Sequence, residues 1–100
     1  MSCYSVLAVT PTTEDWIPSY LPAVGALVAK HGGQYKARTA SHKQLEGSDA
    51  PAALRIIIEW PSMEAAHAFM DDPDYAPYLK ARSEGAENVH FVIDGKDDLA

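Results

Sequence analysis

The chain predicts a small α+β domain of βαββαβ, ferredoxin-like topology, with an antiparallel four-stranded sheet carrying its helices on one face. Three observations carry the prediction. Short runs of apolar and β-compatible residues recur at 3–9, 34–39, 53–60 and 88–94. Stretches with apolar residues at intervals of three and four fall between the first and second runs and between the third and fourth. The second and third runs follow one another directly across a polar loop, which makes them a hairpin.

The first run ends at Thr10-Pro11, which stops a strand. Thr12 or Thr13 then caps a helix whose first turn holds Glu14 and Asp15, carboxylates suited to the positive end of a helix dipole. Trp16, Tyr20, Val24, Leu27, Val28 and His31 share its apolar face. Pro22 is expected to kink this helix or restart it near Leu21, and Gly32-Gly33 to end it. Residues 40–52, with Gly, Ser, Asp and Pro, form the long hairpin loop. Ser62 caps the next helix, with Met63, Ala66, Phe69 and Met70 as its stripe. Asp72 caps a third, with Pro73 at its first position. Tyr75, Tyr78, Leu79 and Arg82 share a face of this last helix, and Gly85 ends it.

One hundred residues suit one domain, expected over 1–95 with a polar tail at 96–100. No run approaches the roughly 18 apolar residues needed to span a bilayer. The first ten residues lack the basic start and long apolar stretch of a secretory signal, so a cytoplasmic location without membrane contact is expected. A formal charge of −6 opposes phosphate backbones and argues against nucleic acid as a partner. Cys3, the single cysteine, excludes an intrachain disulfide and reads as a small buried hydrophobe. No two of His31, His42, His67 and His90 have one-turn spacing, so no metal site is expected, although one histidine could serve haem as an axial ligand. His31 suits a helix C-terminus, and His67 faces either solvent or a pocket.

Alternation within the strands assigns the two faces of the sheet. Leu54, Ile56, Ile58 and Trp60 should meet the helices, leaving Arg55, Ile57 and Glu59 on the other side. Tyr35, Ala37 and Thr39 oppose Gln34, Lys36 and Arg38, and Val89, Phe91 and Ile93 oppose His90, Val92 and Asp94. The mixed polar face then holds Ile57, Val92 and His90 with Arg38, Arg55 and Glu59. Strand one adds either Tyr4, Val6 and Ala8 or Leu7 and Val9. Such a face is too apolar for water, and a second copy laid against it gives a homodimer, a dimeric α+β barrel. The inward charges either form salt bridges that fix register or line a polar ligand site.

The order of Lys30-His31-Gly32-Gly33 with Tyr35 and Arg38, Glu46-Gly47, Glu59-Trp60-Pro61-Ser62 with Ala65-Ala66, Asp72-Pro73-Asp74-Tyr75, and Leu79 with Arg82 resembles the family called domain of unknown function 1330. The resemblance spans nearly the whole chain and implies the ferredoxin-like fold and the face-to-face dimer. Its wider superfamily implies a ligand cavity between sheet and helices, with cofactor-independent oxygenases, muconolactone-type isomerases and haem-binding proteins as precedents. The chain departs from the family at Phe69-Met70, where an aromatic pair is usual.

Arg38, Glu46, Glu59, Tyr75 and Arg82 are the polar positions that match that pattern. A guanidinium offers a planar fork to a carboxylate, and a nearby phenol can donate to the same anion. The expectation is a cofactor-free isomerase or oxygenase acting on a small anionic metabolite. Arg38, Tyr75, Arg82 and Glu46 would bind it, and Glu59, or second to it His90, would move a proton. The competing expectation is a noncatalytic dimer that binds a metabolite or a protein. In that case Arg82 pairs with an acid on its own helix, and Tyr75 is core with its hydroxyl at the surface.

Overall fold

A computed structural model of the chain describes residues 2–100; Met1, the first residue of the expected domain, lies outside them. Seven elements run in the order β1 (Cys3–Pro11), α1 (Ile17–Lys30), β2 (Gln34–Thr39), β3 (Leu54–Trp60), α2 (Met63–Asp71), α3 (Ala76–Gly85) and β4 (Ala86–Asp94). All strand pairs are antiparallel, in the sheet order β2-β3-β1-β4. The helices cover one side of the sheet. Cys3, Leu7, Val9, Ile58 and Trp60 from the strands and Val24, Val28, Ala66, Phe69 and Tyr75 from the helical layer form the buried core.

Several element ends differ from expectation for local reasons. β1 continues through Thr10 and Pro11, because β4 begins early at Ala86 and pairs with both. Neither Thr12 nor Thr13 caps α1: the residue before its first turn is Trp16, and Glu14 and Asp15 precede the helix. The Thr12 and Thr13 amides instead donate to the Gly85 carbonyl, 2.8 and 3.2 Å away, tying β1 to the end of α3. α1 runs on through Pro22 without a restart, since so near the N-terminus the ring removes only the amide that would reach the Pro18 carbonyl. Ser62 does cap α2, its hydroxyl accepting from the Ala65 amide at 3.1 Å. Asp72 caps a turn and not α3 directly: its Oδ1 accepts from the Asp74 amide at 2.9 Å, and the helix proper starts at Ala76.

α1 closes in a Schellman arrangement, with Gly33 N–H bonded to Val28 O at 2.9 Å and Gly32 N–H to Ala29 O at 3.0 Å. The two glycines answer different demands. Gly32 sits at φ +79°, in the left-handed region, whereas a Cβ on Gly33 would fall 2.6 Å from a Trp60 ring carbon and 2.7 Å from Val28 Cγ1. Just beyond α1, Asp72 Oδ2 accepts from Lys30 Nζ at 2.9 Å and bonds His31 Nε2 at 2.8 Å. His31 thus ends α1 through a carboxylate from the α2–α3 corner. Hydrogen bonds from His31, Lys30 and the Asp74 amide hold the Asp72 carboxyl well below the usual carboxylate range. A carboxyl depressed by folding contributes stability above its unfolded value of about 3.9, and that contribution is lost as pH falls below it. Urea midpoints measured from pH 6 to pH 2.5 should therefore fall for the natural chain, and the slope below about pH 4 should flatten in Asp72→Asn.

Two expectations about the sheet faces are overturned. In β4, His90 pairs with Leu7 and Val92 with Ser5, both on the helix side, while Val89, Phe91 and Ile93 point away at 54%, 64% and 51% exposure. Val92 and His90 therefore do not lie on the open face. In β2, Tyr35 pairs with Ile58 but Ala37 with Ile57, so Lys36 is an extra residue, a β-bulge. The bulge reverses the alternation beyond it. Arg38, opposite Ile56, turns to the helix side with Tyr35, and Ala37 and Thr39 turn to the open side. The open face consists of three cross-strand rows: Glu59-Tyr4-Ile93, Ile57-Val6-Phe91 and Arg55-Ala8-Val89. It is more apolar than the sequence suggests.

Candidate functional site

Between the helices and the sheet lies a cavity of about 80 Å³, between two and three times the ~30 Å³ share of one water molecule in the liquid. Its wall is mainly aliphatic and aromatic, with Leu7, Val24, Leu54, Ile56 and Phe69 among the contributors. The polar groups that border it are Tyr20, Tyr35, Tyr75, Arg38, Arg82 and His90. No carboxylate borders it among the described residues.

Tyr75 is the residue just before α3, and Arg82 stands about two turns beyond it on the same side. Arg82 is 5% exposed and Tyr75 1%, so the Tyr75 hydroxyl is not at the surface. Arg82 Nη2 donates to Tyr75 Oη at 3.2 Å, and Tyr75 Oη lies 3.2 Å from Tyr20 Oη on α1. Burial first, and the neighbouring Tyr75 hydroxyl second, push Tyr20 well above the usual phenol range, so Tyr20 stays protonated. Arg82 Nε has no hydrogen-bond partner, and Arg82 makes no ion pair with any described residue. A buried cation without a counter-charge is costly to keep.

Arg38 reaches the same cavity from β2. It is exposed, its Cζ 4.2 Å from the centre of the Tyr35 ring, and it too lacks an ion-pair partner among the described residues. The stacking orients a planar cation over a ring whose face is negative. His90 enters from β4, its Nε2 2.8 Å from Ser5 Oγ. Burial, and then the Arg82 charge, lower its pKa, so the ring is neutral near pH 7. Ser5 Oγ also accepts from the Trp60 indole N–H at 2.8 Å.

The structure thus brings four of the expected site residues, Arg38, Tyr75, Arg82 and His90, to one cavity. It does not bring the other two. Glu59 lies on the open face, 3.3 Å from both Lys36 Nζ and the Tyr4 hydroxyl. Its pKa is lowered, first by the hydrogen bond from Lys36. Glu46 is exposed in the hairpin loop, where its carbonyl accepts from Gln44 Nε2 at 3.1 Å. His67 faces solvent. Tyr20 and Ser5 were not singled out from the sequence as polar site groups. Ser5 left one signal, a small polar residue within the largely apolar run Cys3-Tyr4-Ser5-Val6-Leu7-Ala8-Val9. Among the described residues, no three His, Cys, Asp or Glu side chains gather as a metal site would require, and no helix is long and apolar enough to cross a membrane.

A four-stranded antiparallel sheet in the order β2-β3-β1-β4 with three helices on one side defines an α+β protein of ferredoxin-like βαββαβ topology. The chain belongs to the family Domain of unknown function (DUF1330), which matches over residues 2–96. Among solved structures it is similar to RPA0582 of Rhodopseudomonas palustris, a protein of unknown function, at 18% identity and a TM-score of 0.75, covering 96% of this chain and 83% of that one. It is similar also to SnoaB of Streptomyces nogalater, a cofactor-independent oxygenase, at 17% identity and a TM-score of 0.64, covering 98% and 96%. An antibiotic biosynthesis monooxygenase matches at 11% identity and a TM-score of 0.54, covering 97% and 100%. At these identities the likeness establishes the fold alone. No curated protein matches the chain.

Proposed function

We propose that this protein is a homodimer that binds a small anionic molecule in the cavity and transforms it without a cofactor, by isomerisation or oxygenation. One observation carries the reading: two guanidinium groups border the cavity and no carboxylate neutralises them among the described residues. The ligand then supplies the negative charge. Arg82 and Arg38 orient its anionic group, Tyr75 adds a hydroxyl, the apolar wall takes the rest, and His90 reaches it from β4 as a further hydrogen-bonding group. Glu59 belongs in this reading to the dimer contact, and Glu46 to the loop. SnoaB, described as a cofactor-independent oxygenase, offers precedent for such chemistry on this fold. The open face supports pairing with a second copy, since Val6, Ile57, Val89, Phe91 and Ile93 would otherwise meet water together. A noncatalytic binding role is favoured by one feature, the absence of a carboxylate base from the cavity wall.

Calorimetric titration with benzoate and with benzyl alcohol, its neutral counterpart, tests the reading. Benzoate should bind about tenfold or more tightly, because only the anion meets the guanidinium. Arg82→Met should weaken benzoate by about 10- to 100-fold, the worth of a hydrogen bond to a charged group. Its melting temperature should hold or rise, since the variant removes an unpaired buried charge. Equal binding of the two probes, or an Arg82→Met protein that binds benzoate normally, would refute an anion site.

A further inference from the structure

The hydrogen-bond chain beneath the cavity fixes which nitrogen of His90 carries a proton. An indole N–H can only donate, so Trp60 Nε1, 2.8 Å from Ser5 Oγ, occupies an acceptor site of that oxygen. The remaining partner of Ser5 Oγ among the described residues is His90 Nε2, also at 2.8 Å. Ser5 is 1% exposed and Trp60 1%, so bulk water does not reach the pattern. Were His90 Nε2 protonated, it would donate to Ser5 Oγ and leave the serine proton buried with no acceptor. With Nε2 bare, the serine hydroxyl donates to it, and the two donors that meet at Ser5, the Trp60 N–H and the serine hydroxyl itself, are both matched. The ring's one proton then sits on Nδ1. No protein group bonds Nδ1 among the described residues, and the ring borders the cavity.

We propose that His90 meets the bound molecule as a neutral Nδ1–H donor, held in that tautomer by Trp60 and Ser5, so that the cavity takes molecules whose oxygen is already anionic. The inference rests on the anion-binding reading above and makes it more specific. Arg82 Nε, buried and without a partner, is a second unspent donor on the same cavity. The site is thus complementary to a carboxylate, enolate or phenolate oxygen, and unsuited to drawing a proton from a neutral acid, because its neutral imidazole has no lone pair facing inward. His90 touches the ligand; Ser5 and Trp60 are positioning residues that act through it. Free histidine in water prefers the Nε2–H form, so the tautomer reports the chain and not the ring's own bias.

Long-range proton–nitrogen correlation spectra of the full-length protein labelled with nitrogen-15, recorded at pH 7 with and without benzoate, test this directly. The expected His90 pattern has Nδ1 at the protonated position and Nε2 at the bare position, with Nδ1 the nitrogen that moves when benzoate is added. Ser5→Ala should shift the ring toward Nε2–H and weaken benzoate by about fivefold, the worth of one ordinary hydrogen bond. Ser5→Thr, which keeps the hydroxyl, should restore both. A natural protein whose His90 shows Nε2–H or a doubly protonated ring overturns the inference even if benzoate binds. Failure of benzoate to bind an Nδ1–H protein overturns the anion-binding reading, and the ligand role of His90 with it.

Discussion

Phe91→Glu is expected to convert the protein from two copies to one at micromolar concentration in sedimentation velocity, while its far-ultraviolet circular dichroism keeps the natural shape. Phe91 is 64% exposed on the single chain and completes the middle row with Val6 and Ile57, so it costs the isolated subunit little to change. In the proposed dimer this row lies where the two sheets meet. A carboxylate there would be buried without a partner, at a penalty of several kcal/mol per copy, and a two-fold axis counts it twice. A natural chain that sediments as a stable single subunit at the same concentration would remove the reason for the open face's composition.

Gly33→Ala is expected to lower the melting temperature more than Gly32→Ala, although only Gly32 has a positive φ. At Gly32 the main cost is the left-handed backbone, about 1–2 kcal/mol for a residue with a Cβ, with a lesser one from the Pro61 ring, whose Cγ would lie 3.1 Å from the new methyl. At Gly33 the new methyl would sit 2.6 and 2.9 Å from Trp60 ring carbons and 2.7 Å from Val28 Cγ1, and both neighbours are 1% exposed. Neither can swing aside. Overpacking of this kind costs roughly 1–3 kcal/mol or more, and each kcal/mol moves the midpoint by about 4–8 °C in a domain of this size. Trp60 is also the first donor in the chain that orients His90, so Gly33→Ala should disturb that ring in the same nitrogen-15 spectra. An alanine variant that melts within about 2 °C of the natural protein would show that Trp60 has room to yield.

The elements were legible because local chemistry writes them. Ser62 before an apolar stripe, a glycine pair after α1 and the β-rich runs each act over a few residues, and the structure keeps all of them. The face assignments were less legible, for two physical reasons. In β4 the more apolar set, Val89, Phe91 and Ile93, points away from the helices, because both sides of this sheet are apolar and hydrophobicity alone cannot tell them apart. In β2 the alternation breaks at a bulge, which is a property of pairing with β3 and leaves no mark in the residues themselves. Those two reversals carried Arg38 and His90 from the open face to the cavity. The long-range bonds of the site, Tyr20 to Tyr75 and Trp60 to Ser5 to His90, join residues at least 55 positions apart, beyond the reach of any local pattern.

The extra residue in β2 has a consequence for how such chains diverge. Because Lys36 occupies a place with no counterpart on β3, losing one residue anywhere between Tyr35 and Arg38 would rotate the guanidinium from the hollow to the outside of the sheet. That one event would leave the hollow with a single cation and put a new charge where two subunits would press together. In the proposed site and dimer, ligand choice and self-association are coupled through the length of one strand, so a gap of one codon would alter both while no substitution at either location had occurred.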